Sequence, residues 1–354
     1  MRNPLVSVLI DTYNHERFIA QAIESVLAQD FPPSEVEVLV VDDGSTDGTG
    51  DMARKFAPQV RYLHKPNGGQ ASAFNAGIPE TRGEVVAFLD GDDWWAREKL
   101  SKVMEVFAQN PEVGMVGHGL IQADSAGKPI GMVLPERAYR LDIRSIEGAR
   151  KFDQLKGFFG TSKVAIRRRV LDSVLPIPEE LSIEADEFMW SVAIAVADAV
   201  VLDQPLFYYR FHKNNLFMLQ TANKGRLRRK YQVLLGLLRY LPERLGQLGV
   251  TSEITSALLE SLRVDVARHR LQLDGGTPWE MFCIEKESFR LAYKQTTLGY
   301  RLFKGFVLGL TLVMPPQRFC QLKEWYATTG LQKMRGLLGE PTPATPVLER
   351  RIET

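Results

Sequence analysis

Residues 83–95 read GEVVAFLDGDDWW, and the change of character within that stretch decides the fold. Residues 85–89 are an unbroken apolar run, the pattern of a strand buried on both faces of a parallel sheet. The run stops at Asp90-Gly91-Asp92-Asp93, where the chain must turn while carrying several negative charges. Upstream, the same rhythm occurs three more times. Strand-like runs at 6–10, 36–41 and 60–64 lead into apolar residues at helical spacing, over 17–29, at Met52, Ala53 and Phe56, and over 69–78. This β-α-β-α-β-α-β order predicts an α/β fold with a mostly parallel sheet, flanking helices, and ligands at the carboxyl ends of the strands.

Downstream, an amphipathic helix over 97–109 is stopped by Asn110-Pro111 and followed by a strand over 113–123 and a turn at 124–127. Residues 130–160 read as a loop-rich segment covering the site. A helix from Asp186 through Ala197 leads into a strand over 200–209. From about 222 the pattern is helical and leucine-rich, with no turn-rich linker before it. The expected organisation is a catalytic domain over 1–220, a helical region over 221–340 that associates with membrane or with a second copy, and a flexible Pro/Thr-rich tail over 341–354.

Composition narrows the partners. Of 354 residues, 45% are hydrophobic and 25% charged, which fits a soluble globular chain. The net charge of +1 excludes a whole-surface nucleic-acid footprint. Charge is nonetheless uneven, since residues 205–244 hold nine Lys or Arg against the single acid Glu243. That run reads either as a solvated helix face or as a surface for anionic lipid or a phosphorylated acceptor. Cys283 and Cys320 are far apart and read as reduced packing residues. The N-terminus enters a strand directly, without a signal-peptide shape, and the longest apolar stretch, 305–316, is too short to span a bilayer. The expected location is the cytoplasm or the inner face of a membrane.

The chemistry concentrates at strand ends. Asp90 and Asp92 flank Gly91, and carboxylates so close repel unless a cation sits between them. Hard divalent ions suit such oxygen donors and also take substrate phosphate oxygens. The plainer reading is an Asx-rich turn capping the next helix. Asp42 and Asp43 end another strand, where a carboxylate can accept from a base N–H or a ribose hydroxyl, or simply shape a helix cap. Thr12-Tyr13-Asn14 ends the first strand, and Tyr13 can stack on a base or serve as an aromatic lid on the core. Gly68-Gly69, with Asn75 and Gly77, can bring backbone close to a ligand, which is a weak signal alone. Asp186 opens a helix and is a candidate general base, although acids favour helix N-termini in any case. Tyr209-Arg210-Phe211-His212 ends a late strand and offers a cation and an imidazole to a diphosphate or metal.

Taken in order, VSVLIDTYNHERFIAQAIESVLAQ, VEVLVVDDGSTDGT, HKPNGGQASAFNAGI, GEVVAFLDGDDWW, EADEFMW and YRFH resemble glycosyltransferase family 2. The resemblance covers about residues 4–215 and implies the GT-A nucleotide-sugar-binding fold, Rossmann-like, with a C-terminal helical region beyond it. It implies an inverting transfer of a sugar from a nucleotide-diphosphate sugar, UDP favoured, to an acceptor hydroxyl of a saccharide or lipid-linked molecule. Thr12, Tyr13, Asn14, Asp42 and Asp43 would hold the nucleoside, with Gly69 and Asn75 beside it. Asp90, Gly91 and Asp92 match the family's DxD motif, with Asp92 and His212 on a divalent metal, Mn²⁺ or Mg²⁺. Asp186, four residues before Trp190, matches the catalytic base, and Arg210 lies near the diphosphate. Gly160-Thr161-Ser162 and Arg167 to Arg169 fall where similar enzymes shape the acceptor side.

Two departures stand out. Ala185 replaces an acid before Asp186, which leaves the base open between Asp186 and Glu187. Phe74 replaces a common arginine, so a diphosphate contact must come from elsewhere, with Lys65 or Arg210 as candidates. Leu302, Phe303, Phe306, Val307, Leu310 and Val313, with Arg301, Lys304, Arg318 and Lys323 around them, suit a membrane interface, a dimer contact or packing on the core. The competing function is a catalytically silent sugar-nucleotide-binding scaffold in polysaccharide assembly, which has no chemical need for Asp90, Asp92 and Asp186 together. A nucleotidyltransferase would want a Gly-rich basic loop after the first strand, where DTYNHERF stands. A dehydrogenase would want GxGxxG there.

Overall fold

The computed structural model describes residues 4–212, 215, 224–292 and 298–328. Four parallel strands form one half of the sheet: β1 (Val6–Thr12), β2 (Val36–Asp42), β3 (Val60–His64) and β4 (Val85–Asp90), in the order β3-β2-β1-β4. Their crossover helices are α1 (Ile19–Leu27), α2 (Thr49–Arg54) and α3 (Gln70–Glu80). All four strands end on one edge, where the acids are.

The other half is mixed. After β5 (Trp94–Trp95) and α4 (Lys99–Gln109), β6 (Val113–Ala123) pairs with β7 (Pro129–Val133), followed by β8 (Tyr139–Leu141) and α5 (Ile146–Leu155). Next come β9 (Ala165–Arg167), α6 (Arg168–Val174), α7 (Ala185–Val196) and β10 (Asp198–Arg210). The short β9 joins the halves, antiparallel to both β4 and β6. β10 runs parallel to β6 and antiparallel to β5 and β8.

The loop-rich reading of 130–160 is corrected here, since β7, β8 and α5 occupy much of it. α5 was hard to see because only Ala149, Phe152 and Leu155 mark its apolar face among charged residues. Its cap is conventional, with Ser145 Oγ accepting from Gly148 N at 3.0 Å. β7 has no fully buried residue and gains its order from pairing with β6, and β9 is too short for periodicity to reveal.

Beyond the sheet lie α8 (Lys224–Gln247), α9 (Ser252–Leu258), α10 (Glu260–Asp274), α11 (Pro278–Ala292), α12 (Leu298–Leu310) and α13 (Pro316–Thr328). The sheet separates two apolar layers. Val6, Val8 and Ile10 of β1 face one, with Ile19 and Ile23 of α1. Leu9 faces the other, with Phe74 of α3 and Phe188, Met189 and Val192 of α7. That second layer continues into Val233, Leu234, Leu237, Leu241 and Leu245 of α8, so the core runs unbroken past residue 220. The expected tail at 341–354 lies outside the described residues.

Candidate functional site

Strand pairing assembles the site. β1 beside β2 sets Thr12 next to Asp42, and β1 beside β4 sets Asp11 next to Asp90. Asp42 is buried, with Oδ1 accepting from Ser45 N at 2.8 Å and Oδ2 from the Tyr62 hydroxyl at 2.5 Å. Asp43 organises the glycine loop: it accepts from Gly68 N at 3.0 Å, Gly69 N at 2.7 Å, Asn67 Nδ2 at 3.1 Å and Lys65 Nζ at 2.6 Å. Gly69 has φ 84, and a Cβ there would sit 2.6 Å from Ser182 O, so only glycine fits. Asn75 lies further along α3, and its amide is spent on both main-chain groups of Ile177, at 2.7 and 2.8 Å. Tyr13 is 45% exposed, a free aromatic face at the rim. Asn14 beside it takes a left-handed backbone (φ 57) and caps Thr46 N at 2.8 Å.

Asp92 is the focus of positive charge. Its Oδ2 lies 2.8 Å from His212 Nε2 and 3.8 Å from His15 Nε2. Burial pushes the Asp92 carboxyl up, but His15 and His212 outweigh it and hold it below the usual carboxylate range. His15 is in turn oriented by Thr12 Oγ1, 3.1 Å from its Nδ1. Gly91 is required by that arrangement, because a Cβ would lie 2.5 Å from Thr12 Oγ1.

Arg210 sits behind Asp92. It is buried, with its guanidinium over Phe18 and Trp94, and donates to Asp92 O at 2.9 Å and Gln21 Oε1 at 2.6 Å. Asp93, also buried, accepts from Arg210 N at 3.0 Å and Ser162 Oγ at 2.7 Å. Beneath them the fully buried Lys99 donates to Ser162 O at 2.8 Å. Burial lowers the Lys99 pKa, with Asp93 and Asp90 pulling the other way.

The opposite wall comes from distant segments. Asp186, in the first turn of α7, accepts from Thr161 N at 3.1 Å and Thr161 Oγ1 at 3.3 Å. Burial raises its carboxyl pKa, Glu187 adds to the rise, and Thr161 opposes it. Glu187 is occupied by Lys156 at 2.7 Å. Of the two acids, Asp186 makes no direct ion pair among the described residues, although Lys163 is near enough to pull its pKa down. Gln70 ties the wall to the donor side, accepting from Ala185 N at 2.8 Å and donating to Thr161 Oγ1 at 3.0 Å. Glu184, left-handed at φ 55, is held by Lys230 of α8 at 2.6 Å.

A cavity of about 630 Å³ opens beside Asp92, lined by Asn14, His15, Arg17, Thr46, Ser125 and His212 among others. Its size suits a nucleotide-sized ligand. Among the described residues, no group of three or more His, Cys, Asp or Glu side chains is arranged to hold an ion alone. The sparse set at Asp92 and His212 instead fits a hard cation that brings phosphate oxygens and water as its remaining ligands.

Sequence reading missed His15, Lys156 and Asp11. The β1–β4 pairing could have flagged Asp11, but nothing local marks the other two. Arg167, Arg168 and Arg169 do not reach the site. They donate to main-chain carbonyls of Val113, Gly83 and Pro111 at 2.7 to 2.8 Å. Lys65 is claimed by Asp43. Cys320 is buried but Cys283 is exposed, so only one cysteine is a packing residue, and both are free. No helix among the described residues is long and apolar enough to cross a membrane. Leu302, Phe306 and Val313 are exposed on and after α12.

Residues 7–175 match the family model described as glycosyl transferase family 2. An uncharacterised glycosyltransferase of a Nostoc species is 36% identical over 228 residues, 60% of this chain and 66% of the relative, so the chain spans just under two thirds of that protein. The putative teichuronic acid biosynthesis glycosyltransferase TuaG of Bacillus subtilis is 36% identical over 132 residues, 36% of this chain and 51% of the relative. Among solved structures, S. aureus TarS 1–349 in complex with UDP-GlcNAc superposes with a TM-score of 0.53 at 18% identity, covering 92% of each chain. It shares the GT-A fold with this chain.

Proposed function

We propose that this chain, whose residues 7–175 match glycosyltransferase family 2, moves a sugar from a nucleotide-diphosphate sugar, UDP-linked by preference, to an acceptor hydroxyl with inversion. The observation that carries this reading is the nearness of the donor-side acids to the α7 acid. The adjacent residues Thr161 and Ser162 donate to Asp186 and Asp90 respectively, each at 3.1 Å, which brings the two acids to one site.

In this reading Tyr13 stacks on the base, while Thr12, Asn14, Asp42 and Asp43, with the Gly69 loop that Asp43 shapes, fix the nucleoside. Asp90, Gly91 and Asp92 face the ribose and diphosphate. Asn75 and Arg210 act as positioning residues, one holding the Ile177 segment and the other holding Asp92 from behind. Asp186 takes the proton from the acceptor hydroxyl as that oxygen bonds to the anomeric carbon and the bond to the diphosphate oxygen breaks. The donor's fixed position gives in-line attack and hence inversion. Asp92 and His212 would hold Mn²⁺ or Mg²⁺, which when bound supplies positive charge for the departing diphosphate.

The similarity to TuaG, a putative teichuronic acid biosynthesis glycosyltransferase, supports an acceptor in cell-surface polysaccharide or glycolipid assembly. The exposed Leu302, Phe306 and Val313, with exposed Arg318 and Lys323 nearby, support docking on an anionic membrane that carries a lipid-linked acceptor. Replacing the three apolar residues by Asp should abolish sedimentation with anionic vesicles, and unchanged sedimentation would remove that part of the reading. This reading places the chain at the cytoplasmic side of the membrane.

The test of the donor site is thermal stabilisation by UDP, GDP and their sugar conjugates, with and without Mn²⁺. A selective, metal-dependent rise in Tm that is lost in Asp92→Ala supports the reading. A folded protein that responds to none of them defeats it.

A further inference from the structure

Three acids cap the same layer of the core. On β1, Leu9 packs into the layer shared with α3 and α7, and strand alternation puts Asp11 on that face one step further along. On β4, Phe88 packs into the same layer and Asp90 follows it in the same way. Parallel pairing sets Asp11 beside Asp90. Asp186 opens α7, whose Phe188, Met189 and Val192 complete the layer.

The three are not equally satisfied. Asp90 Oδ2 has Ser162 Oγ at 3.1 Å, and Asp186 has Thr161. Asp11 Oδ1 is buried with no hydrogen-bond partner among the described residues. Burial, Asp90 and Asp92 push the Asp11 pKa well above the carboxylate range, and Asp186 adds to them. A buried polar atom left unpaired is a cost to the fold, and native proteins keep few of them. The position of this one says what could pair it. In the proposed reaction the anomeric carbon lies between the acceptor, served by Asp186, and the diphosphate, served by Asp92. Asp11, paired with Asp90 on the face that α7 covers, lies along the transferred sugar in that arrangement. Sugar hydroxyls both donate and accept, so they can pair with this carboxyl in either protonation state.

We propose that Asp11 is a donor-specificity residue whose carboxyl group hydrogen-bonds a hydroxyl of the transferred sugar. The proposal rests on the donor-site reading above. Its consequence is discrimination: a site with a buried polar group rejects a donor lacking the matching hydroxyl far more strongly than an apolar pocket rejects an extra one.

Calorimetric titration of the full chain with Mn²⁺ tests this, using UDP, GDP, UDP-glucose, UDP-N-acetylglucosamine and GDP-mannose against wild type, Asp11→Asn and Asp11→Leu. The free diphosphates should bind all three proteins within about two-fold. The preferred sugar conjugate should bind Asp11→Leu about ten-fold more weakly or worse, with Asp11→Asn in between, since an amide can still pair with a hydroxyl. Both variants should melt no lower than wild type, because each removes a buried carboxyl. Equal loss for diphosphate and conjugate, or no change in either, overturns the assignment. Wild type that binds neither UDP nor GDP overturns the donor-site reading, and the assignment with it.

Discussion

The two walls of the site are built on opposite plans. The donor wall comes from strand ends within residues 12–92, and two of its acids are held from within residues 45–69: Asp42 by Ser45 and Tyr62, Asp43 by residues 65–69. The base wall is gathered from Gln70, Thr161, Glu184, Asp186 and Lys230, which come from four separate stretches of chain. The nucleoside end of the donor wall is thus specified within the first 70 residues. The base wall draws one contact, Lys230 to Glu184, from the C-terminal helices. The first plan suits a generic nucleotide grip, and the second makes the geometry of the base depend on the whole chain.

The largest expected effect lies on the base wall. Asp186→Asn should lower kcat by about 10²–10⁴, the range for loss of a general base, while calorimetry finds UDP affinity unchanged within about two-fold. A matching loss of UDP affinity would break the separation of the two walls. In wild type, Asp186 must be deprotonated to act, and burial raises its pKa. Activity should therefore fall as pH drops, with the acid limb of kcat/KM above the ordinary aspartate range.

Lys230→Ala should act through position alone. Losing its 2.6 Å contact to Glu184 should lower kcat by roughly five-fold, on the order of one charged hydrogen bond. Lys230→Arg should recover part of the loss, and the UDP Kd should not move. An unchanged kcat in Lys230→Ala would mean that α8 does not set the base.

The smallest effect concerns stability of the donor wall without ligand. Asp90 is raised to about 8 when folded, so between the unfolded aspartate range and that value the folded state binds more protons than the unfolded one. Stability then falls as pH rises through this window. Asp90→Asn should flatten that slope and raise Tm by a few degrees near pH 8 without donor, as read by scanning calorimetry. A steeper slope in the variant would contradict the cause assigned to the shift.

The same contrast explains what the sequence could convey. β1 to β4, the DxD acids and Asp186 are announced by periodicity and by short motifs, because each is a local event in the chain. Lys156 pairing with Glu187, which leaves Asp186 outside that ion pair, is not local, since the residues lie 31 positions apart. Arg210 was readable as a cation near the diphosphate, but only packing against Phe18 and Trp94 turns it toward the Asp92 main chain. α5 and β9 were missed for a related reason, as their order derives from neighbours rather than from their own residues.

The apolar layer that crosses residue 220 bears on how this chain can be re-engineered. Leu237, Leu241 and Leu245 of α8 are fully buried in the same cluster as Phe188 and Met189 of α7. A chimera that joins the first 220 residues to another protein's helices would have to reproduce that interlocking surface side chain by side chain. Exchange of the helical region is thus closed to this chain at the junction where its motifs stop, and the interlocking continues through Leu262 of α10, so no seam opens directly after α9 either.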